Sequence, residues 1–92
     1  LTAIIAPQDR RVLNGTRVLV VEDDPLVAET LCDLIEAAGG EIIGRMTSIA
    51  EVTRALPTLW ADAAVLDLRV SDGEITPILE ELIARKLPIV VY

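Results

Sequence analysis

Apolar residues in this chain come in short blocks with two different rhythms. Val18-Leu19-Val20-Val21 is an unbroken, mostly β-branched run, too short for a helix, and it reads as a strand covered on both faces. The block that follows has the other rhythm. Over Pro25 to Ala38, Val27, Leu31, Leu34, Ile35 and Ala38 recur at helical spacing, while Glu29, Thr30, Asp33 and Glu36 take the opposite side. Asp24 stands where an N-cap belongs and Pro25 suits the first helical position. Gly39-Gly40 supplies the permissive backbone that ends the helix.

The alternation continues. Glu41 to Gly44 predicts a second short strand. Ser48-Ile49-Ala50-Glu51 has capping-box spacing and opens a second helix; Pro57 should end that helix or start a separate turn. Trp60 is expected to pack at that helix end. Asp62 to Leu66 reads as a third buried strand running into Asp67, and Arg69 to Glu74 as a loop with Asp72-Gly73 as its turn. Ile75 to Lys86 predicts a third helix with Ile75, Leu79, Leu82 and Ile83 facing inward and Glu81 four residues before Arg85. Pro88 leads into a fourth strand, Ile89 to Tyr92. The order β-α-β-α-β-α-β implies right-handed crossovers and a parallel, doubly wound sheet with strand order 2-1-3-4. Leu1 to Thr16, with Pro7 and Asn14-Gly15, is expected to be a leader or linker, leaving 17–92 as the domain.

Composition narrows the chemistry. The chain has 92 residues, enough for one domain; 52% are hydrophobic and none is Phe, so its core must be aliphatic. A net charge of −7 argues against nucleic acid and anionic membranes as partners and leaves metal cations and basic proteins. No apolar run is long enough to span a bilayer and no signal peptide is evident. The single Cys32 fits a reducing compartment and excludes an internal disulfide. With no histidine, no imidazole ligand, base or phosphodonor comes from this chain. A first residue of Leu is what an excised or processed piece would show.

Two predicted strands end in acids: the first in Glu22-Asp23-Asp24, the third in Asp67. In the order 2-1-3-4 these strands are neighbours, and their shared carboxyl edge is the topological switch point where such sheets bind ligands. That would gather Glu22, Asp23 and Asp67. Three carboxylates cannot share a small site fully ionised without raised pKa values or a cation, and a hard divalent ion, Mg²⁺ above all, answers this. A carboxylate beside such an ion can attack phosphorus and form an aspartyl phosphate.

The segments Val18-Leu-Val-Val-Glu-Asp-Asp, Ala64-Val-Leu-Asp-Leu and Pro88-Ile-Val-Val-Tyr give the chain a specific likeness. From about Arg17 to Tyr92 it resembles the CheY-like receiver domain of two-component response regulators. The resemblance implies a flavodoxin-like fold, with Asp67 as phosphoacceptor. It also implies Mg²⁺ or another divalent cation held by Glu22, Asp23, Asp67 and the backbone carbonyl of Arg69. A histidine kinase or histidine phosphotransfer protein would be the phosphodonor, and the setting would be cytoplasmic. Such a domain is a phosphoacceptor switch and not an enzyme with turnover. The chain departs from the family at Ser71, where a proline commonly stands, and at Gly73, which comes early. The likeness stops after the fourth strand, so the α4-β5-α5 part, with its hydroxyl and lysine, has no counterpart here. An uncovered fourth strand is therefore expected, with self-association through its edge. Two rivals stay open: a receiver-like interaction module that takes no phosphate, and an aspartyl-phosphate phosphatase. The phosphatase would usually carry a second acid two residues after the nucleophile, where this chain has Arg69.

Overall fold

A computed structural model describes residues 12–70 and 75–92. Residues 1–11 of the expected leader, Ser71 and the Asp72-Gly73 turn lie outside the described residues. The elements are β1 (Arg17–Val21), α1 (Pro25–Ala37), β2 (Glu41–Met46), α2 (Ile49–Ala55), a 3-10 turn (Leu56–Thr58), β3 (Ala63–Leu66), α3 (Thr76–Ala84) and β4 (Ile89–Val91). The four strands form one sheet in the order β2-β1-β3-β4, and all three pairings are parallel. This is the flavodoxin-like doubly wound arrangement through the fourth strand.

β1 runs through the centre because its side chains are needed on both faces. Leu19 and Val21 join Ile49, Val52, Leu56, Ala64, Leu66, Ile78 and Leu82 in a core under α2 and α3. Val18 and Val20 point the other way, onto Leu31, Cys32 and Ile35 of α1. A strand covered twice leaves no room for polar alternation, which is why its run is continuous.

The helix ends carry their own reasons. Asp24 Oδ1 accepts from the N–H of Leu26 at 2.9 Å and of Val27 at 3.3 Å, capping α1 ahead of Pro25. At the other end Gly39 takes φ +93°. Its N–H donates to Glu36 O, and Gly40 N–H donates to Ile35 O, the paired bonds of a Schellman turn. Ser48 Oγ accepts from Glu51 N–H at 3.1 Å, while Glu51 Oε1 accepts from Thr47 N–H and hydroxyl, which holds the Glu51 carboxyl below its usual pKa. α3 ends in a Schellman turn as well, but the residue at φ +59° is Lys86.

Three expectations about packing need correction. Val27 and Leu34 were expected inside α1, yet both are substantially exposed, and Ala28 is buried instead, one turn from the buried Cys32. The apolar arc of α1 is wider than the strip of sheet it covers. Burial pushes the Cys32 thiol pKa up. Ile83 was expected to face inward but is 65% exposed; Ile78 takes that place. Trp60 is not packed at a helix end: it is 75% exposed, beside Pro57 and Arg85 on the surface. Arg85 explains this, because its guanidinium donates to the carbonyls of Leu56 and Leu59 and pairs with Glu81, tying α3 to that connection without the indole.

The stretch before β1 joins the fold from Leu13 onward. Leu13 packs against the α1-side core, and its N–H donates to Ala38 O at 2.9 Å. Arg17 and Asp62 tie together the N-terminal ends of β1 and β3, away from the acidic edge: Arg17 N–H donates to Asp62 Oδ2 at 2.9 Å, and this bond holds the Asp62 carboxyl low.

Candidate functional site

The acids sit one step beyond the last residues of β1 and β3. Val21 is paired with Leu66 across these strands. The ladder then continues: Asp67 N–H donates to Val21 O at 3.0 Å, and Glu22 N–H donates to Met46 O at 2.9 Å. Backbone hydrogen bonds therefore fix where both side chains leave the sheet. One carboxylate oxygen each from Glu22, Asp23 and Asp67 lie within 4.8 Å of one another. Glu22 and Asp67 are buried, the two charged side chains that are so among the described residues; Asp23 is exposed.

Each acid is held differently. Glu22 Oε2 accepts from Asp24 N–H at 3.0 Å, and Glu22 Oε1 accepts from the hydroxyl of Tyr92. Asp67 Oδ1 accepts from Arg69 N–H at 2.8 Å, and Oδ2 carries no hydrogen bond among the described residues. Arg69 itself is exposed, with its backbone fixed beside the Asp67 carboxylate by that bond. Asp24 turns away from the group to cap α1. Val70, just past Arg69, is buried in the α2–α3 core and anchors the loop's start.

Tyr92 is the site residue that the sequence did not single out. It follows β4 directly, its N–H donates to Leu66 O at 3.1 Å, and its carbonyl accepts from Leu68 N–H at 2.9 Å. These bonds dock it beside Asp67, and its ring packs on the α1-side core. Burial first, then the hydrogen bond to Glu22 and the charges of Glu22, Asp67 and Asp23, push its phenol pKa well above the usual value. A signal existed in the sequence. Tyr92 is the sole tyrosine, and it stands where the strand neighbouring β3 reaches the acidic edge.

Buried carboxylates need compensation. Among the described residues the ion pairs are Arg17–Asp62 and Arg85–Glu81, both away from these acids. The donor set is hard oxygen throughout, and among the described residues it has hydrogen-bond donors but no ion pair to offset its charge. Such a set fits a small divalent cation.

A doubly wound α/β domain with an acidic cluster at its switch point is the class defined by this geometry. The chain belongs to the response-regulator receiver family. It is 35% identical to SdrG of Pseudomonas melonis Fr1, solved in its BeF3-activated conformation, with a TM-score of 0.69 over 85% of this chain and 67% of that one. It is 33% identical over 70 residues to the DNA-binding transcriptional activator DevR/DosR of Mycobacterium tuberculosis, covering 75% of this chain and 32% of that protein. The response regulator PhyR of Brucella abortus has the same fold at 23% identity, with a TM-score of 0.78 over 94% of this chain and 36% of that one. The chain thus spans about a third of the length of DevR/DosR and of PhyR. No protein-family model matches it. Among the described residues no helix is long and apolar enough to cross a membrane.

Proposed function

We propose that this domain, built on 17–92 and joined by the end of its leader from Leu13 onward, accepts a phosphoryl group on Asp67. The donor is the phosphohistidine of a histidine kinase or histidine phosphotransfer protein, in the cytoplasm. The observation that carries the reading is the gathering of Glu22, Asp23 and Asp67 within 4.8 Å at the edge of β1 and β3. Membership of the receiver family supports it.

The chain's own groups account for the transfer. Arg69 N–H donates to Asp67 Oδ1 and so fixes the orientation of the carboxylate. A carboxylate oxygen of Asp67 forms a bond to phosphorus as the P–N bond to the donor imidazole breaks, and the imidazole leaves with the electron pair and takes up a proton. A Mg²⁺ ion, or another divalent cation, would be held by Asp23 and Asp67, with Glu22 through water or directly and the Arg69 carbonyl. When bound, it supplies charge that offsets the phosphoryl oxygens. The product is an acyl phosphate on the protein itself, so the domain acts as a switch and not as an enzyme with turnover.

A second partner follows from the sheet edge. Among the described residues β4 is the outer strand, pairs with β3, and leaves Val90 and Val91 exposed. Such an edge favours strand addition, here by a second copy of the chain. Light scattering across a concentration series tests this: a mass that stays monomeric throughout would remove it.

Incubation with a small acyl phosphate and Mg²⁺ tests the main reading. The intact protein should gain one phosphoryl mass, and the gain should vanish on chelating the metal. A protein that gains nothing while remaining folded and Mg²⁺-bound would be an interaction module instead.

A further inference from the structure

We propose that Tyr92 is a positioning residue that keeps Glu22 out of direct metal ligation and so sets the site's preference for Mg²⁺ over Ca²⁺. The inference rests on the divalent-cation reading above and deepens it. Both oxygens of the Glu22 carboxylate are already engaged, Oε2 by the N–H of Asp24 and Oε1 by the hydroxyl of Tyr92. The side chain is 3% exposed, so neither bond is readily exchanged for water. Asp23 is exposed and Asp67 keeps one oxygen unbonded among the described residues. Asp23 and Asp67 therefore carry fewer competing bonds than Glu22, whose two oxygens each spend a lone pair on a fixed donor.

The two ions ask for different sites. Mg²⁺ keeps several waters and is bound through one or two carboxylates, whereas Ca²⁺ takes six to eight oxygens in a flexible shell. A clamped Glu22 supplies the first kind of site. Releasing one oxygen of Glu22 adds a third carboxylate ligand and moves the site towards the second kind. The clamp is rigid because Tyr92 is docked on β3 through its own backbone, by the bonds to Leu66 and Leu68. Its ring packs against the core beneath α1, so the hydroxyl is held from a fixed base.

Titration calorimetry of Mg²⁺ and Ca²⁺ into the unaltered chain and into Tyr92→Phe tests the proposal. Removing a hydrogen bond from behind a metal-site group changes affinity by roughly 10- to 100-fold. The Mg²⁺:Ca²⁺ affinity ratio should accordingly fall by about tenfold in Tyr92→Phe. In a Glu22→Ala background, with no carboxylate left to release, the same substitution should leave the ratio alone. A ratio unchanged by Tyr92→Phe, or an equal shift in the Glu22→Ala background, overturns the proposal while leaving the metal site standing. An unaltered chain that binds neither ion overturns the metal reading and this inference together. A second measurement needs no variant. Carboxyl carbon resonances followed during Mg²⁺ addition should move strongly for Asp23 and Asp67 and weakly for Glu22; an equal shift at Glu22 overturns the clamp.

Discussion

The N–H of Arg69 donates to Asp67 Oδ1 at 2.8 Å, so the residue two places beyond the strand tip orients the carboxylate at the tip. Asn in place of Asp67 keeps an oxygen for that bond and removes the anionic oxygen proposed as the nucleophile. Asp67→Asn should therefore fold normally and take up no phosphoryl group from a small acyl phosphate with Mg²⁺. Intact-mass measurement checks this, and uptake at the unaltered level would move the acceptor elsewhere.

Asp24 has a separate role from the acids beside it. Its carboxylate caps α1 at Leu26 and Val27, while its N–H anchors Glu22. Asp24→Ala removes the cap and keeps the N–H. We expect a loss of about 1 kcal/mol in urea unfolding, with Mg²⁺ affinity changed less than threefold. A tenfold loss of Mg²⁺ affinity would make Asp24 part of the metal site.

The sheet and the gathering of Glu22, Asp23 and Asp67 were legible in the sequence for one reason: each strand at the switch point is a continuous apolar run that stops at an acid. Val18 to Val21 is buried on both faces, so the run could not be a helix face, and the acids mark where the core ends. Which helix residues face inward was less legible. Ala28 is small and was passed over for the larger Val27 and Leu34, yet small side chains such as Ala28 and Cys32 let α1 approach the sheet. Tyr92 was missed because its partner, Glu22, is 70 residues away and is reached only when β3 and β4 lie side by side.

α3 offers the sharpest check on facing. Leu82 is fully buried under the sheet and Ile83 is 65% exposed, although the two are adjacent and both aliphatic. Leu82→Ala should cost about 2–5 kcal/mol, while Ile83→Ala should stay within about 0.5 kcal/mol. Denaturant midpoints of the two variants decide it, and equal losses would mean that α3 sits in a different rotation.

Lys86 ends α3 at φ +59°, a region where a side chain is strained and glycine is not. Its N–H donates to Ile83 O and the next N–H, of Leu87, donates to Leu82 O, so the turn is fixed and cannot relax. Lys86→Gly should stabilise the domain by up to about 1 kcal/mol. Because net charge becomes more negative, the comparison belongs at moderate salt. A destabilised variant would show that the lysine side chain contributes a contact that outweighs the backbone strain.

Tyr92 carries a pH dependence of definite sign. Its phenol is held neutral in the folded chain, chiefly by burial and then by the Glu22 hydrogen bond and the surrounding carboxylates, so its folded pKa lies above the ordinary value near 10. Between those two values the unfolded chain has lost the proton and the folded chain has kept it. The stability linked to Tyr92 is thus whole below about pH 10 and declines as pH rises above it. With one tyrosine in the chain, the phenolate absorption band reports this group alone. Its midpoint should lie above that of free tyrosine and should move down in Glu22→Gln, which removes the nearest charge. It should not return to the free value, because burial of the ring persists. A midpoint equal to free tyrosine in the folded chain would mean that the hydroxyl is not held at the acidic site, and the clamp on Glu22 would go with it.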